Sequence, residues 1–124
     1  MNPKDLRYSS EHTWAKVDGD MATVGITDFA QSELGDVVFV ELPEKGRKIK
    51  QGEVFGVIES VKAVSDLHTP VSGEVVNVNQ ELEDTPEKVN EDPYGEGWII
   101  QVKLADPDEL SNLLEADKYE EHTS

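Results

Sequence analysis

Cysteine is absent from the 124 residues, which excludes disulfides, thiolate metal sites and a cysteine nucleophile. Any sulfur chemistry this chain takes part in must therefore arrive on a cofactor. No run of 18 apolar residues occurs, so no segment reads as a membrane-spanning helix. The opening residues, MNPKDLRYSSEHTW, lack both an apolar signal core and an Arg/Ser-rich, acid-poor leader. The expected setting is the cytoplasm, or the mitochondrial matrix if a leader has been removed. Cations are scarce: 11 Lys+Arg stand against 27 Asp+Glu, a formal charge of −16. That field repels nucleic acid and anionic lipid, which sets both aside as partners. His12, His68 and His122 have no metal-ligand spacing, and no metal is expected.

The acids are unevenly placed. Residues 104–124 hold seven acids against Lys118, and residues 81–96 hold seven against Lys88. The stretch from Pro43 to Lys50 runs the other way, with Lys45, Arg47, Lys48 and Lys50 against Glu44. Short strand patterns punctuated by turns dominate the rest. His12 to Val17 and Met21 to Thr27 flank Asp18-Gly19-Asp20, a hairpin turn. Asp28 is placed to cap a brief helix through Leu34, stopped by Gly35. Strands follow at 36–41, 52–60, 63–68, 74–79 and 98–104, with an acidic connection over 80–97. Asp106-Pro107 opens a helix expected through Ala116, carrying Leu110, Leu113 and Leu114 on one face, before an acidic tail over 117–124. The absence of a βαβ rhythm indicates a mainly β sandwich or small barrel, and the length fits one domain spanning 1–124. Gly52–Val57 (GEVFGV) is faintly echoed by Gly73–Val78 (GEVVNV), consistent with two similar halves.

One hairpin stands out. With Val61 and Lys62 at its turn, Ser60 faces Ala63, Ile58 faces Ser65 and Gly56 faces Leu67. Alternation then puts Gly56, Ile58, Ala63 and Leu67 on the core face, and Glu59, Val64 and Asp66 outside beside the lysine. Neither turn residue is Gly or Asn, so the favoured primed turn is not signalled. A turn lysine is ordinarily a solvated charge. Here it tips an otherwise apolar hairpin, where Gly, Asn or Asp usually stand. A lysine so placed suits enzymatic acylation, because its amine can be reached without unfolding the domain.

The run ESVKA followed by SDLHTPVSGEV, preceded by ATVGITDFAQSELGDVVFVELPEKG and followed by VNEDPYGEGW, resembles the H proteins of the glycine cleavage system. The similarity covers about Tyr8 to Glu120. Related modules differ at the lysine: biotin carriers typically have Met-Lys-Met and 2-oxo acid dehydrogenase lipoyl domains Asp-Lys-Ala, whereas this chain has Val61-Lys62-Ala63. The resemblance implies a flattened barrel-sandwich of the lipoyl/biotinyl-carrier type, with short helices, a C-terminal helix and lipoate in amide linkage to Lys62. It implies a carrier that is not itself an enzyme. The arm would take an aminomethyl group from a pyridoxal-phosphate glycine decarboxylase to a tetrahydrofolate-dependent aminomethyltransferase, and be reoxidised by the flavin enzyme dihydrolipoamide dehydrogenase. One tethered group would thus meet three active sites at a concentration set by the arm. A lipoyl relay to other lipoate enzymes is the alternative the resemblance allows. An independent hydrolase is disfavoured by the lack of a nucleophile elbow or a Ser/His/Asp arrangement.

By the same resemblance, Glu59, Val61 and Ala63 are expected to be read by the lipoyl-attaching enzyme. Asp66, and the position of Thr13, are expected to hold the docked arm. Family members often read His-Glu-Trp at the N-terminal strand where this chain has His12-Thr13-Trp14, so a charged contact is replaced by a hydroxyl. The docking cleft is expected between the lysine hairpin and the strand bearing His12 and Trp14. Trp14 and Trp98 read as packing residues, and Gly25, Gly35, Gly56 and Gly73 as turns, a helix stop or close approaches.

Overall fold

The structure, a computed structural model, describes residues 3–123. Among these residues, nine short strands form two antiparallel sheets. The larger sheet runs β1 (Arg7–Tyr8), β2 (Thr13–Asp18), β3 (Met21–Ile26), β9 (Ile100–Leu104), β8 (Gly73–Val78) and β5 (Lys48–Ile49). The smaller is β4 (Val37–Glu41), β6 (Val54–Ser60) and β7 (Val64–His68). Alternating apolar residues line the space between them: Ala22, Val24 and Ile26 from β3, Ile58 from β6, Val75 from β8, Ile100 and Val102 from β9 are all buried. Among the described residues no helix is long and apolar enough to cross a membrane.

Local chemistry sets the element ends. The β2–β3 turn has Gly19 at φ 65 in its first central position, where a type II′ hairpin needs a residue free to adopt positive φ. Helix α1 (Asp28–Leu34) is capped by Thr27, one residue before the expected Asp28: the Thr27 hydroxyl accepts from the Ala30 N–H at 3.2 Å. Thr27 wins because it is still extended (ψ 165), the geometry an N-cap needs, whereas Asp28 has already turned helical. Gly35 stops the helix at φ 81, as expected. Strand β2 begins at Thr13 rather than His12, because His12 holds a left-handed φ of 67.

The acidic connection 80–97 is less irregular than its composition reads. It folds into two one-turn helices, α2 (Glu81–Asp84) and α3 (Lys88–Glu91), each dropping one apolar side chain, Leu82 or Val89, fully into the core. Asn90 fastens α3 to the lysine side of the molecule: its amide N–H groups donate to the Gly35 carbonyl and Gln31 Oε1, and its oxygen accepts the Val37 N–H.

A C-terminal helix is present, but displaced from the expected 106–116. Asp106 and Pro107 start a 3₁₀ turn (Pro107–Asn112) instead, with Asp106 accepting from the Asp108 N–H. It ends because Leu113 becomes extended, so that Leu114 can exchange two backbone hydrogen bonds with Tyr8. The helix proper, α4 (Ala116–Thr123), lies in what composition marks as an acidic tail. Tyr119 decides this: it is fully buried and stacks on Tyr8 with ring centroids 4.9 Å apart. Burying one large aromatic ring holds a short polar helix that propensity alone would not.

Candidate functional site

The lysine hairpin has the predicted register: Ile58 opposes Ser65, Gly56 opposes Leu67, and the Ser60 N–H donates to the Ala63 carbonyl at 2.8 Å. Neither Val61 nor Lys62 takes a positive φ, so the turn is not of the primed type. Ser60 substitutes for the missing turn glycine. Its buried hydroxyl accepts from the N–H groups of Lys62 (3.3 Å) and Ala63 (3.1 Å). The Val61 N–H in turn donates to the Asp36 carbonyl at 3.0 Å, tying the tip to the start of β4. The turn is therefore stiff although its two central residues are ordinary.

Ala63 is exposed, not on the core face as alternation predicts. The strand pairing has ended by that point, and the residue has left the pleat to close the turn. Gly56, Ile58 and Leu67 do face the core. Glu59 lies between Phe39 and Val64 on the outer face, and Val61 is 70% exposed at the tip.

Lys62 itself is exposed, and no carboxylate lies within ion-pair distance of it among the described residues. Its aliphatic chain leans on Gly35: a Cβ added there would stand 3.2 Å from Lys62 Cε and 3.9 Å from Nζ. The ammonium thus rests near the C-terminal end of α1, the negative end of the helix.

Beside it opens a cleft of about 390 Å³. Ile26, Phe29, Ala30, Leu34, Ile58 and Leu67 make its apolar walls, and Glu11, Glu33 and Asp66 bring three carboxylates. It runs between β7 and the His12–Thr13 segment, as expected from the sequence. Thr13 and Asp66 line it together. Trp14 does not: its indole N–H donates instead to the carbonyls of Ile26 (2.9 Å) and Pro93 (3.0 Å), and its ring packs over Gly25, where a Cβ would stand 2.7 Å from it. Thr13 is buried, and its hydroxyl donates to the His68 carbonyl at 2.9 Å, joining β2 to β7 across the cleft floor. The Ser9 hydroxyl in turn donates to Thr13 Oγ1 at 2.7 Å.

Sequence reasoning missed the residues that set this cleft's shape. Phe29 and Glu33 lie one helical turn apart on α1 and point the same way, a signal that was available in their spacing. Tyr119 is the other. Its hydroxyl sits 2.7 Å from both His12 Nδ1 and Thr27 Oγ1, coupling α4 to the cleft wall and to the cap of α1. A lone aromatic inside an acidic run was its only trace. His12 also packs on Phe29, with ring centroids 4.8 Å apart. Burial, and then the neighbouring His122, hold its pKa below the ordinary value, against the opposing pull of Glu11 and Glu33. It is a neutral wall of the cleft at neutral pH.

No group of three or more His, Cys, Asp or Glu among the described residues is arranged to hold a metal. The site consists of a free amine on a stiff tip and an acid-rimmed apolar cleft beside it. An amine presented on a tip beside such a cleft is the geometry of a carrier protein.

Comparison with known proteins gives the carrier its family. The profile described as Glycine cleavage H-protein matches residues 6–124. The glycine cleavage system H protein of Symbiobacterium thermophilum is 61% identical over 121 residues, covering 98% of this chain and 94% of that one. That of Rubrobacter xylanophilus is 64% identical over 120 residues, covering 96% and 95%. The crystal structure of a glycine cleavage system H protein from Mycobacterium marinum superposes with a TM-score of 0.88 at 41% identity, covering 95% of each chain. The chain belongs to the glycine cleavage H-protein family, whose members are carrier subunits.

Proposed function

We propose that Lys62 carries lipoate in amide linkage and that the loaded arm shelters in the cleft beside it. The observation that carries this reading is the pairing of an exposed, unpaired lysine on a stiff tip with an apolar cleft rimmed by carboxylates. Attachment needs the neutral amine: Nζ attacks an activated lipoyl carboxyl, the activating group leaves, and the surplus amine proton passes to solvent. The bound group supplies a disulfide able to accept an aminomethyl group and end as a dithiol.

The chain's own residues do the rest. Phe29, Leu34, Ile58 and Leu67 exclude water from whatever the cleft holds, which protects a hydrolysis-prone aminomethyl group. Glu11, Glu33 and Asp66 attract its ammonium, so the charge a glutamate at position 13 would provide has three alternative sources. Thr13 contributes as a floor, with its hydroxyl hydrogen directed to His68. Neutral His12 adds no opposing charge. The partners on this reading are the pyridoxal-phosphate glycine decarboxylase, the tetrahydrofolate-dependent aminomethyltransferase, the flavin dihydrolipoamide dehydrogenase and the lipoyl-attaching enzyme, in a bacterial-type cytoplasm.

Peptide mapping after expression with lipoate tests the attachment: the added mass is expected on Lys62 alone. Lipoate on Lys48, Lys50 or Lys103 instead would overturn the assignment. Lys62→Arg keeps the charge but cannot form a stable lipoyl amide. Its fold is expected to survive and reconstituted glycine cleavage to fall to background.

A further inference from the structure

The Lys62 turn has two supports. Ser60 closes it from within, and the loop joining α1 to β4 carries it from outside. That loop touches the tip twice. The Asp36 carbonyl accepts the Val61 N–H at 3.0 Å. The Lys62 methylenes lean on Gly35, close enough that a Cβ added there would stand 3.2 Å from Cε. By its own chemistry the loop is a soft support. Gly35 sits at φ 81, where glycine's freedom is needed, and Asp36 is exposed.

A side chain from far along the sequence stiffens it. The two backbone groups that flank Asp36 both end on the Asn90 amide. Its Nδ2 donates to the Gly35 carbonyl at 2.8 Å, and its Oδ1 accepts the Val37 N–H at 2.9 Å. The second Nδ2 hydrogen goes to Gln31 Oε1 on α1, at 3.0 Å. That helix supplies Phe29, Ala30, Glu33 and Leu34 to the cleft. One amide therefore holds both a wall of the cleft and the loop on which the lysine leans. Asn90 is itself well anchored: its neighbour Val89 is fully buried, and the Asp92 carbonyl just past α3 accepts the Gly97 N–H at 2.9 Å. The side-chain type matters, because an amide offers two donors and an acceptor where a carboxylate of the same shape offers no donor.

We infer that Asn90 is a positioning residue for Lys62, fixing where the lysine arm is rooted relative to the cleft through the backbone of Gly35, Asp36 and Val37. The inference rests on the lipoyl-carrier reading above and deepens it. An amine must meet its acyl donor in a narrow geometry, so a wandering root slows the reaction without altering the surface the donor's enzyme sees. Asn79 provides the matched comparison. It belongs to the same stretch of chain and its Nδ2 donates to the Glu96 and Trp98 carbonyls at 2.9 and 2.8 Å, but those bonds reach neither the loop nor the turn.

The tip is measured first on unmodified, full-length, 15N-labelled protein. Asn90→Ala is expected to speed hydrogen exchange at the Val61 N–H about tenfold and to lower the backbone order parameters of Val61 and Lys62. Asn79→Ala is expected to change neither. Acylation by a purified lipoate-attaching enzyme, with lipoate and ATP and varied carrier concentration, follows. Asn90→Ala is expected to lower kcat about fivefold and to leave KM within about twofold, whereas Asn79→Ala leaves both constants unchanged. If circular dichroism shows Asn90→Ala to be misfolded, Asn90→Asp, which keeps the acceptor and loses both donors, replaces it with the same expectations. An unchanged tip in the Asn90 variant, or an equal change in Asn79→Ala, would overturn the inference. So would a loosened tip with unchanged acylation, or a rise in KM with kcat unaltered. Failure of the native protein to be acylated on Lys62, with the tip loosened as expected in the variant, would instead strike the carrier reading and leave the link from Asn90 to Lys62 standing.

Discussion

The hairpin tip and the aromatic clasp at the chain ends are built on opposite terms. At the tip, Val61, Lys62, Ala63 and Val64 are exposed, and order comes from hydrogen bonds gathered on Ser60 and Asp36. At the clasp, Tyr8, Trp14 and Tyr119 are almost completely buried, and stacking is joined by hydroxyl contacts to His12 and Thr27. The tip adds little to stability and, on the proposed function, presents the chemistry. The clasp presents nothing and fixes the far wall of the cleft. The lesson is a division of labour: a projecting group needs a stiff local turn, while a sheltering cleft needs distant elements locked together.

Removing the clasp is the largest way to break this comparison. Tyr119→Ala should cost about 3–5 kcal/mol of unfolding free energy, as for large buried aromatics. Tyr119→Phe, which keeps the stack and loses the hydroxyl, should cost about 1–3 kcal/mol. Chemical denaturation of unmodified protein measures both, and a Tyr119→Ala value near zero would mean α4 is only an appendage. Thr13→Val strips the cleft floor of its bond to the His68 carbonyl, with an expected loss of about 0.5–1.5 kcal/mol by the same measurement.

Ser60→Ala acts on the other region. It leaves the Lys62 and Ala63 N–H groups to water, so stability should drop by about 1 kcal/mol or less while acylation of Lys62 slows as the turn loosens. A large stability loss without any change in acylation would reverse the assignment of roles.

Asp66→Asn should leave stability nearly unchanged and speed ammonia release from the isolated, aminomethyl-loaded carrier. Equal release rates at equal loading would pass the ammonium contact to Glu11 or Glu33.

The clasp also carries a pH signature. His12 has a lowered folded pKa, so the folded state binds fewer protons there than the unfolded chain does. Its contribution is fully present above the ordinary histidine value of 6.5 and is lost as pH falls below that value toward the lower folded one. Tyr119 is pushed up to about 12, first by burial, and Tyr8 is raised as well for the same leading reason. Their contributions hold below pH 10 and are lost as pH rises from 10 through the raised folded values. Thermal unfolding against pH should therefore show a plateau between about pH 6.5 and 10, with the alkaline loss weakened in Tyr119→Phe.

One hairpin of each sheet was legible in the sequence. Period-two alternation and turn residues act over a few positions, so they set the β2–β3 and β6–β7 hairpins, their register, and Lys62 at the tip. The Val61-Lys62-Ala63 run and its flanks carried the family resemblance for the same reason, since they form one continuous segment. What the sequence could not decide depends on partners far along the chain. Ala63 leaves the core face because the turn closes there. The turn is held by a serine side chain that no backbone propensity encodes. The last helix forms at 116–123, not 106–116, because Tyr119 finds Tyr8 more than a hundred residues away and Leu113 must extend to let Leu114 pair with it. The cleft joins segments from residues 11–13, 26–34 and 58–67, and its three acidic lining residues come together only when α1 and β7 pack on either side of it. Local pattern determines which residues are presented. Long-range burial, which no window of neighbouring residues contains, determines what shelters them.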